Sequence, residues 1–361
     1  MADRGPILVF ATKGAGSNDE TRILELLADH HVERYPFDRS RKGANILAIL
    51  RRARASRASL IVMEGTGIAG GVAVLLARAL LRIPFVVSSG DAVGPFLAGM
   101  RPALALPASI YERLLYRWGA GFIGWTPYLV GRAVSMGGRR AITAAGFAQQ
   151  PEISLSREEV RARLGVSDDA VLFGIIGSLD WNANKGYCYG LELVEAVKRV
   201  ERRDVAVAVV GGGSGLERLV EVAGSERGRR AFIPGPVEPG LVASYLAAMD
   251  IGSLPQTLDP VGALRYTTKI SEYIVAGLPL VTGRLPLAYD LADEWSWRLP
   301  GDTPWSEEYV TALANLMERI TVDDVDAKRA AIPSRLDPFD RADQRRRVAA
   351  FITDLLSEHS A

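Results

Sequence analysis

Cysteine is almost missing from this chain: Cys188 stands alone, so no internal disulfide and no cysteine-rich metal site can form. A reducing compartment suits it best, and a cytoplasmic location is expected. Histidine is nearly as scarce. His30 and His31 are adjacent and His359 lies in the tail, so neither HExxH nor another His-rich ligand spacing occurs, and no metal is expected. The adjacent pair fits the end of a helix, where cations are favoured. No run is long and apolar enough to span a membrane, because the stretch from Ile68 to Ser88 is broken by Arg78, Arg82 and Pro84. No signal peptide is visible, since residues 1–5 carry both charge signs and lead straight into an apolar segment. Solenoid repeats and low-complexity segments are absent as well. Gly14-Ala15-Gly16 lacks the GxGxxG spacing and the P-loop lysine-serine ending, and Leu216 breaks a second fingerprint after Gly213, so NAD and ATP are disfavoured and no bound cofactor is expected.

What is present fits a globular protein of two domains, since 361 residues with 48% hydrophobic and 24% charged side chains exceed one ordinary core. Charge is unevenly divided. Residues 1–150 hold 19 lysines and arginines against 10 carboxylates, and the remainder holds 24 against 32. This balance fits an anionic partner or membrane surface at the first half, and equally arginines solvated on helix faces. No nucleic-acid partner is expected.

Short apolar runs alternate with helical patterns, which predicts buried parallel strands in a doubly wound α/β arrangement. The first half gives strands at Pro6 to Ala11, Val32 to Phe37, Leu60 to Glu64, Pro84 to Ser88, Phe122 onward and Ile142 to Phe147. Ser17 and Glu20 have capping-box spacing after the Gly14–Gly16 loop. Leu104 to Trp118 mixes Leu, Tyr, Trp and Arg, and is expected to pack on the sheet, with a membrane-interface position as the alternative. Residues 148–156 form the linker candidate. A second series follows: Val171 to Ile176, a loop with Gly177 and Lys185 directly preceding a helix, Val205 to Val210 with a glycine run, Ala231 to Ile233, a helix from Glu238 to Met249, and Asp250 to Leu254. Strand ends of such sheets are where ligands bind, which makes Asp91 at the end of the Pro84 strand a candidate, although an Asp before Gly-Pro is commonly a turn former.

The stretch RYTTKISEYIVAGLPLVTG, Arg265 to Gly283, reads as loop, helix, tight turn and strand. Thr267 and Thr268 are plausible caps, and Gly277 with Pro279 is a stop signal. The spacing of Arg265, Lys269 and Glu272 places them on one face. Cations beside a helix N-terminus suit a diphosphate, and a carboxylate one turn on can accept from a ribose; a solvated face with a Lys269/Glu272 ion pair is the other possibility.

Gly177 to Gly186, the VVGGGSGLERL segment, FIPGPV, YLAAMDIGSLPQ and KISEYIVAGLPLVTG, in this order over about residues 170–295, resemble the nucleotide-sugar-binding domain of glycosyltransferase family 4. The resemblance implies a GT-B fold: two Rossmann-like domains facing a central cleft, with a last helix crossing back, for which Asp340 to Leu356 is suitable. It implies an acceptor-side domain over 1–150 plus about 340–361 and a donor-binding domain over 151–339. It further implies metal-independent transfer of a sugar, with retention, from a nucleoside-diphosphate sugar to an acceptor that could be anionic or lipid-linked. By position, Lys185 resembles the lysine that meets the diphosphate, Glu272 the ribose glutamate, and Gly14, Ala15 and Gly16 the first-domain loop near the diphosphate; Gly177 and Thr268 belong to the same donor-binding set. Two positions depart from the family pattern: Leu264 replaces a glutamate, and Ser178 replaces an arginine. Arg265 or Lys269 is then expected to supply the missing cation, Asp259 or a backbone group to take over sugar contacts, and Asp91, nearest the place of a missing histidine, to contact the sugar or the acceptor. The alternatives are a GT-B nucleotide-sugar epimerase, against which the scarcity of histidine counts, and a nucleotide-sugar-binding protein without turnover.

Overall fold

A computed structural model describes residues 5–145, 153–265, 267–333 and 339–358, leaving out the side chain of Thr268. The chain divides into two compact units. The first takes the described residues of 1–147, 264–266 and 335–361; the second takes those of 148–263 and 267–334.

In the first unit the elements are β1 (Ile7–Ala11), α1 (Asn18–Leu26), β2 (Val32–Arg34), α2 (Lys42–Ala55), β3 (Leu60–Glu64), α3 (Ile68–Leu76), β4 (Phe85–Ser89), α4 (Val93–Met100), α5 (Ala105–Trp118), β5 (Gly121–Gly124), α6 (Pro127–Ser135) and β6 (Ala141–Thr143). All strands are parallel, in the order β2-β1-β3-β4-β5-β6. β1, β3 and β4 are buried throughout, as expected of strands covered on both faces. The predicted strands at 32 and 142 are shorter than expected, and residues 146 and 147 lie outside the described residues, as does most of the linker candidate.

Arg22 of α1 crosses beneath the carboxyl ends of this sheet. Its Nη1 donates to Glu64 Oε2 at 3.0 Å and to Ser88 Oγ at 3.2 Å, and its Nη2 donates to the Ala144 carbonyl. Trp125 Nε1 donates to Glu64 Oε1 at 3.2 Å, and the guanidinium lies 4.4 Å over the Trp125 ring. One buried cation thus ties β3, β4 and the segments around β5 and β6 together. Ser17 caps α1, but Glu20 does not close the predicted box: its carboxylate accepts from Gly16 N–H at 2.6 Å and pairs with Arg34 at 2.6 Å.

The second unit contains α7 (Arg157–Leu164), β7 (Val171–Ile176), α8 (Leu191–Val197), β8 (Val205–Val210), α9 (Leu216–Ala223), β9 (Ala231–Gly235), α10 (Val242–Ala247), β10 (Ile251–Leu254), α11 (Thr268–Val275), β11 (Leu280–Gly283), α12 (Pro286–Asp290), β12 (Ser296–Leu299), α13 (Glu307–Arg319) and α14 (Val322–Ala330). Its parallel sheet runs β12-β11-β10-β7-β8-β9. Ser156 and Glu159 make both capping-box bonds, so α7 starts where the sequence places it. Thr267 occupies the N-cap of α11 without a side-chain cap bond, and its hydroxyl is buried without a hydrogen-bond partner among the described residues. Gly277, at φ +62, ends that helix in the left-handed region.

The last helix, α15 (Arg341–Glu358), belongs to the first unit, where Val348, Phe351, Ile352 and Leu355 join the core with Ile7, Val9 and Ile123. A Cβ on Gly121 would lie 2.6 Å from the Phe351 ring, so the helix packs directly on β5.

Candidate functional site

In the second sheet strand order reverses between β7 and β10, the place where open α/β sheets take ligands at their carboxyl ends. Gly177 follows β7, and a Cβ there would come 2.7 Å from Lys269 Nζ, so the lysine in this position lies directly against the glycine. Lys269 Nζ also stands 5.2 Å over the Tyr189 ring. Farther along the loop, Asn182 bridges Tyr187, and its Oδ1 accepts from the N–H groups of Asn184 and Lys185 at 3.1 and 3.2 Å. Lys185 therefore sits on a side-chain-closed turn and not at a helix N-terminus, contrary to expectation. α8 begins only at Leu191, because Gly186 at φ +61 and Gly190 at φ +89 leave the helical region.

Lys185 Nζ lies 3.9 Å from Asp259 Oδ2 and 5.2 Å over the Trp305 ring. Asp259 belongs to the loop after β10, so this pair crosses the point of strand reversal. Its Oδ1 accepts from Val261 and Gly262 N–H at 2.8 and 2.9 Å, and its Oδ2 accepts from the Thr257 hydroxyl at 2.8 Å. Burial raises the carboxyl, but the Gly262 N–H, the Thr257 hydroxyl, the Val261 N–H and Lys185 outweigh it and hold Asp259 below the usual range.

Glu272 follows Lys269 by one turn of α11; its backbone carbonyl accepts from Ala276 N–H at 3.0 Å, while no described residue donates to its carboxylate. Burial pushes its carboxyl up, with Lys269 opposing. Arg265 does not share that face, because α11 starts three residues later and Arg265 belongs to the first unit. There its Nε lies 2.7 Å from Asp91 Oδ1, and its Nη2 donates to Asp91 Oδ2 at 3.2 Å. The two candidates are thus each other's partners. Leu264 packs on the first unit's core, and its carbonyl accepts from the Thr126 hydroxyl at 2.9 Å, which explains an apolar residue there.

The Gly14–Gly16 loop is bent by positive φ at both glycines, +104 and +78. Its N–H groups are engaged internally: Gly14 with Ala11 O, Ala15 with Phe37 O and Gly16 with the Glu20 carboxylate. The structure therefore assigns this loop's donors to its own closure.

Three features went unseen in the sequence. Glycines 211, 213 and 215 serve backbone contact, since a Cβ on Gly211 would lie 1.8 Å from Gly177 O and one on Gly215 2.6 Å from Leu179 O. Ser178 donates to Asp180 Oδ2 at 2.7 Å, and Ser214 N–H donates to Asp180 Oδ1 at 3.3 Å, so the position where the family places an arginine helps join two loops. Glu192 is buried beneath the lysine turn, accepting from Tyr187 OH at 2.8 Å, Ser253 OH at 2.9 Å and Gly190 N–H at 3.0 Å. Only its EL spacing after a Gly-rich turn could have signalled it.

Burial raises the Glu192 carboxyl despite these donors. The unfolded chain ionises near the ordinary value of 4.5 and the folded chain only above it, so the unfolded state sheds its proton first as pH rises and stability falls from about that pH upward. Glu192→Gln is expected to reduce that fall. Thermal midpoints measured from pH 4 to 8 check this, and identical slopes for the two proteins would contradict it.

No family model and no curated protein matches the sequence. Two doubly wound six-stranded parallel sheets, with a last helix in the first unit, define a GT-B fold. Solved structures share it along nearly their whole length. HepE from Anabaena, determined with UDP and glucose, is similar at 17% identity and a TM-score of 0.66, covering 97% of this chain and 100% of its own. WaaG, a glycosyltransferase involved in lipopolysaccharide biosynthesis, is similar at 14% identity and 0.66, covering 96% and 100%. A candidate UDP-N-acetylglucosamine 2-epimerase from Listeria monocytogenes is similar at 13% identity and 0.64, covering 99% and 98%.

Proposed function

We propose that this chain is a glycosyltransferase that moves a hexosyl group from a nucleoside-diphosphate sugar to an acceptor hydroxyl, without a metal and with retention. The observation that carries this is the pair of lysine side chains at the strand reversal of the second unit: Lys269 over Gly177, and Lys185 facing Asp259. HepE, a structure of similar fold, was determined with UDP and glucose.

Lys185 and Lys269 are assigned to the diphosphate, Gly177 to the close approach of Lys269, and Glu272 and the backbone at Thr268 to the ribose side. Transfer forms a bond from the acceptor oxygen to the anomeric carbon and breaks the bond to the diphosphate. The acceptor proton passes to the departing phosphate oxygen on the same face. Charge grows on that phosphate, so cations fixed beside it stabilise the transition state more than the ground state. Lys269 serves here as the cation replacing the family's arginine, since Arg265 is engaged with Asp91. Asp91 with Arg265 is assigned to the acceptor side, and Gly14, Ala15 and Gly16 to the approach of the donor on the resemblance alone.

Incubation with UDP-, GDP-, ADP- and dTDP-sugars tests the proposal by nucleoside-diphosphate release. Slow release from one nucleotide class is expected, with the same rate in the presence of EDTA; a rate abolished by EDTA and restored by a divalent ion would contradict the metal-free assignment. The epimerase-like neighbour favours a second reading, which is supported instead if the sugar isomerises without diphosphate release.

A further inference from the structure

α4 and α5 form a helical hairpin on the first unit, and its tip is open to solvent: every residue from Gly99 to Pro107 is exposed. That segment reads Gly-Met-Arg-Pro-Ala-Leu-Ala-Leu-Pro, with one charge, Arg101. Met100 is 63% exposed and Leu106 72%, and Phe96 and Ile110 stand outward beside them. Large apolar groups gathered at one place mark an interaction surface, whereas single ones do not.

The inner side of α5 is firmly held. Glu112 is fully buried and pairs with Arg132 at 2.6 Å, and the Tyr111 hydroxyl donates to the carbonyls of Thr66 and Gly67 at 3.1 and 3.2 Å. The outer side follows helical spacing: Leu106, Ile110, Arg113 and Arg117 succeed one another by four, three and four residues, all exposed. Apolar groups lie toward the tip and guanidinium groups toward the rear.

Charge selects the occupant. From Gly65 to Arg140 the only carboxylates are Asp91, held by Arg265, and Glu112, held by Arg132. Arg78 and Arg82, beyond α3, add to the same sign. A second copy of this chain packed on the patch by two-fold symmetry would bring Arg113 and Arg117 against like charges. An anionic lipid surface instead meets the arginines with phosphates and the apolar tip with acyl chains, the arrangement of interfacial helices.

We infer that the α4–α5 hairpin docks this protein on an anionic lipid bilayer, with Met100, Leu104 and Leu106 entering the interface and Arg101, Arg113 and Arg117 contacting headgroup phosphates. The surface lies wholly in the first unit and does not depend on the sugar-transfer assignment.

Co-sedimentation of the full chain with vesicles tests this. Binding to phosphatidylcholine vesicles containing phosphatidylglycerol is expected, with little binding to phosphatidylcholine alone and a steep decline with salt. Arg113→Gln with Arg117→Gln should lower partitioning by at least about tenfold. Leu106→Ser with Ile110→Ser should also lower it, with thermal midpoints unchanged because all four side chains are exposed. No binding to either vesicle, equal binding to both, or a lipid-free dimer dissociated by Leu106→Ser in sedimentation velocity would overturn the inference.

Discussion

Lys185→Ala is expected to slow sugar transfer by about 10²- to 10³-fold at saturating donor. The side chain is 43% exposed and reaches from a turn closed by Asn182, so it contributes little to the core. Its carboxylate partner among the described residues, Asp259, is equally accessible, and ion pairs of that kind contribute about 1 kcal/mol or less to stability. The fold should therefore survive, with a thermal midpoint close to that of the parent chain. Under the proposed function, the variant loses a positive charge at the place where the departing diphosphate gathers its own. Lys185→Arg keeps the charge but changes its shape and reach, and a smaller loss is expected. Initial rates of nucleoside-diphosphate release give the comparison, and equal rates for Lys185→Ala and the parent would contradict the role.

The largest expected effect on stability belongs to Arg22→Ala, a loss of about 3–5 kcal/mol in the first unit. Removing the guanidinium leaves Glu64 buried with only Trp125 and Ser88 to answer it. Burial already raises the Glu64 carboxyl while Arg22 is present, and without that cation the carboxylate keeps only neutral hydrogen-bond donors. The cavity adds to the cost, since Arg22 stacks on Trp125 and reaches the Ala144 carbonyl. Because charge and not volume dominates, Arg22→Met combined with Glu64→Leu should recover most of the stability. Calorimetry that resolves the two units, or hydrogen exchange at β3 and β4, reads both results. A double variant no more stable than Arg22→Ala would contradict the electrostatic explanation.

The strands were the most legible part of the sequence. LIVME, VLFGII and VAVAVV are apolar runs bounded by turn residues, and β3, β7 and β8 occupy those positions. Parallel strands buried on both faces leave this trace because a polar residue on either side needs a buried partner, as Glu64 at the end of β3 has in Arg22. Helical detail was less legible. The predicted helix from Glu238 to Met249 is a 3₁₀ turn at Pro239–Leu241 followed by Val242–Ala247, shorter than its pattern suggests. β12, α13 and α14 were not anticipated, and SWRL lacks the unbroken apolar run that marks the central strands.

The site was legible as residue types and not as partners. Lys269 and Gly177 stand 92 positions apart in the chain, and nothing local states that the amino group of one lies against the other. Arg265 had the right spacing for the face of α11 but lies before the helix begins, where Asp91 takes it. Leu264, which resembles a lost functional position when compared with the family pattern, is a packing residue. Asp259 is a candidate for sugar contacts, and the partners its carboxylate has in the structure, its own loop and Lys185, leave no trace in the local sequence.

Nucleoside-diphosphate binding at the strand reversal of the second unit is the central claim, and thermal shift with UDP, GDP, ADP and dTDP measures it most directly. One of the four should raise the midpoint of the parent chain, by an amount that grows with the logarithm of concentration above the dissociation constant. The same nucleotide should shift Lys185→Ala and Lys269→Ala markedly less. No shift with any of the four, or an equal shift in the parent and both lysine variants, would contradict the account.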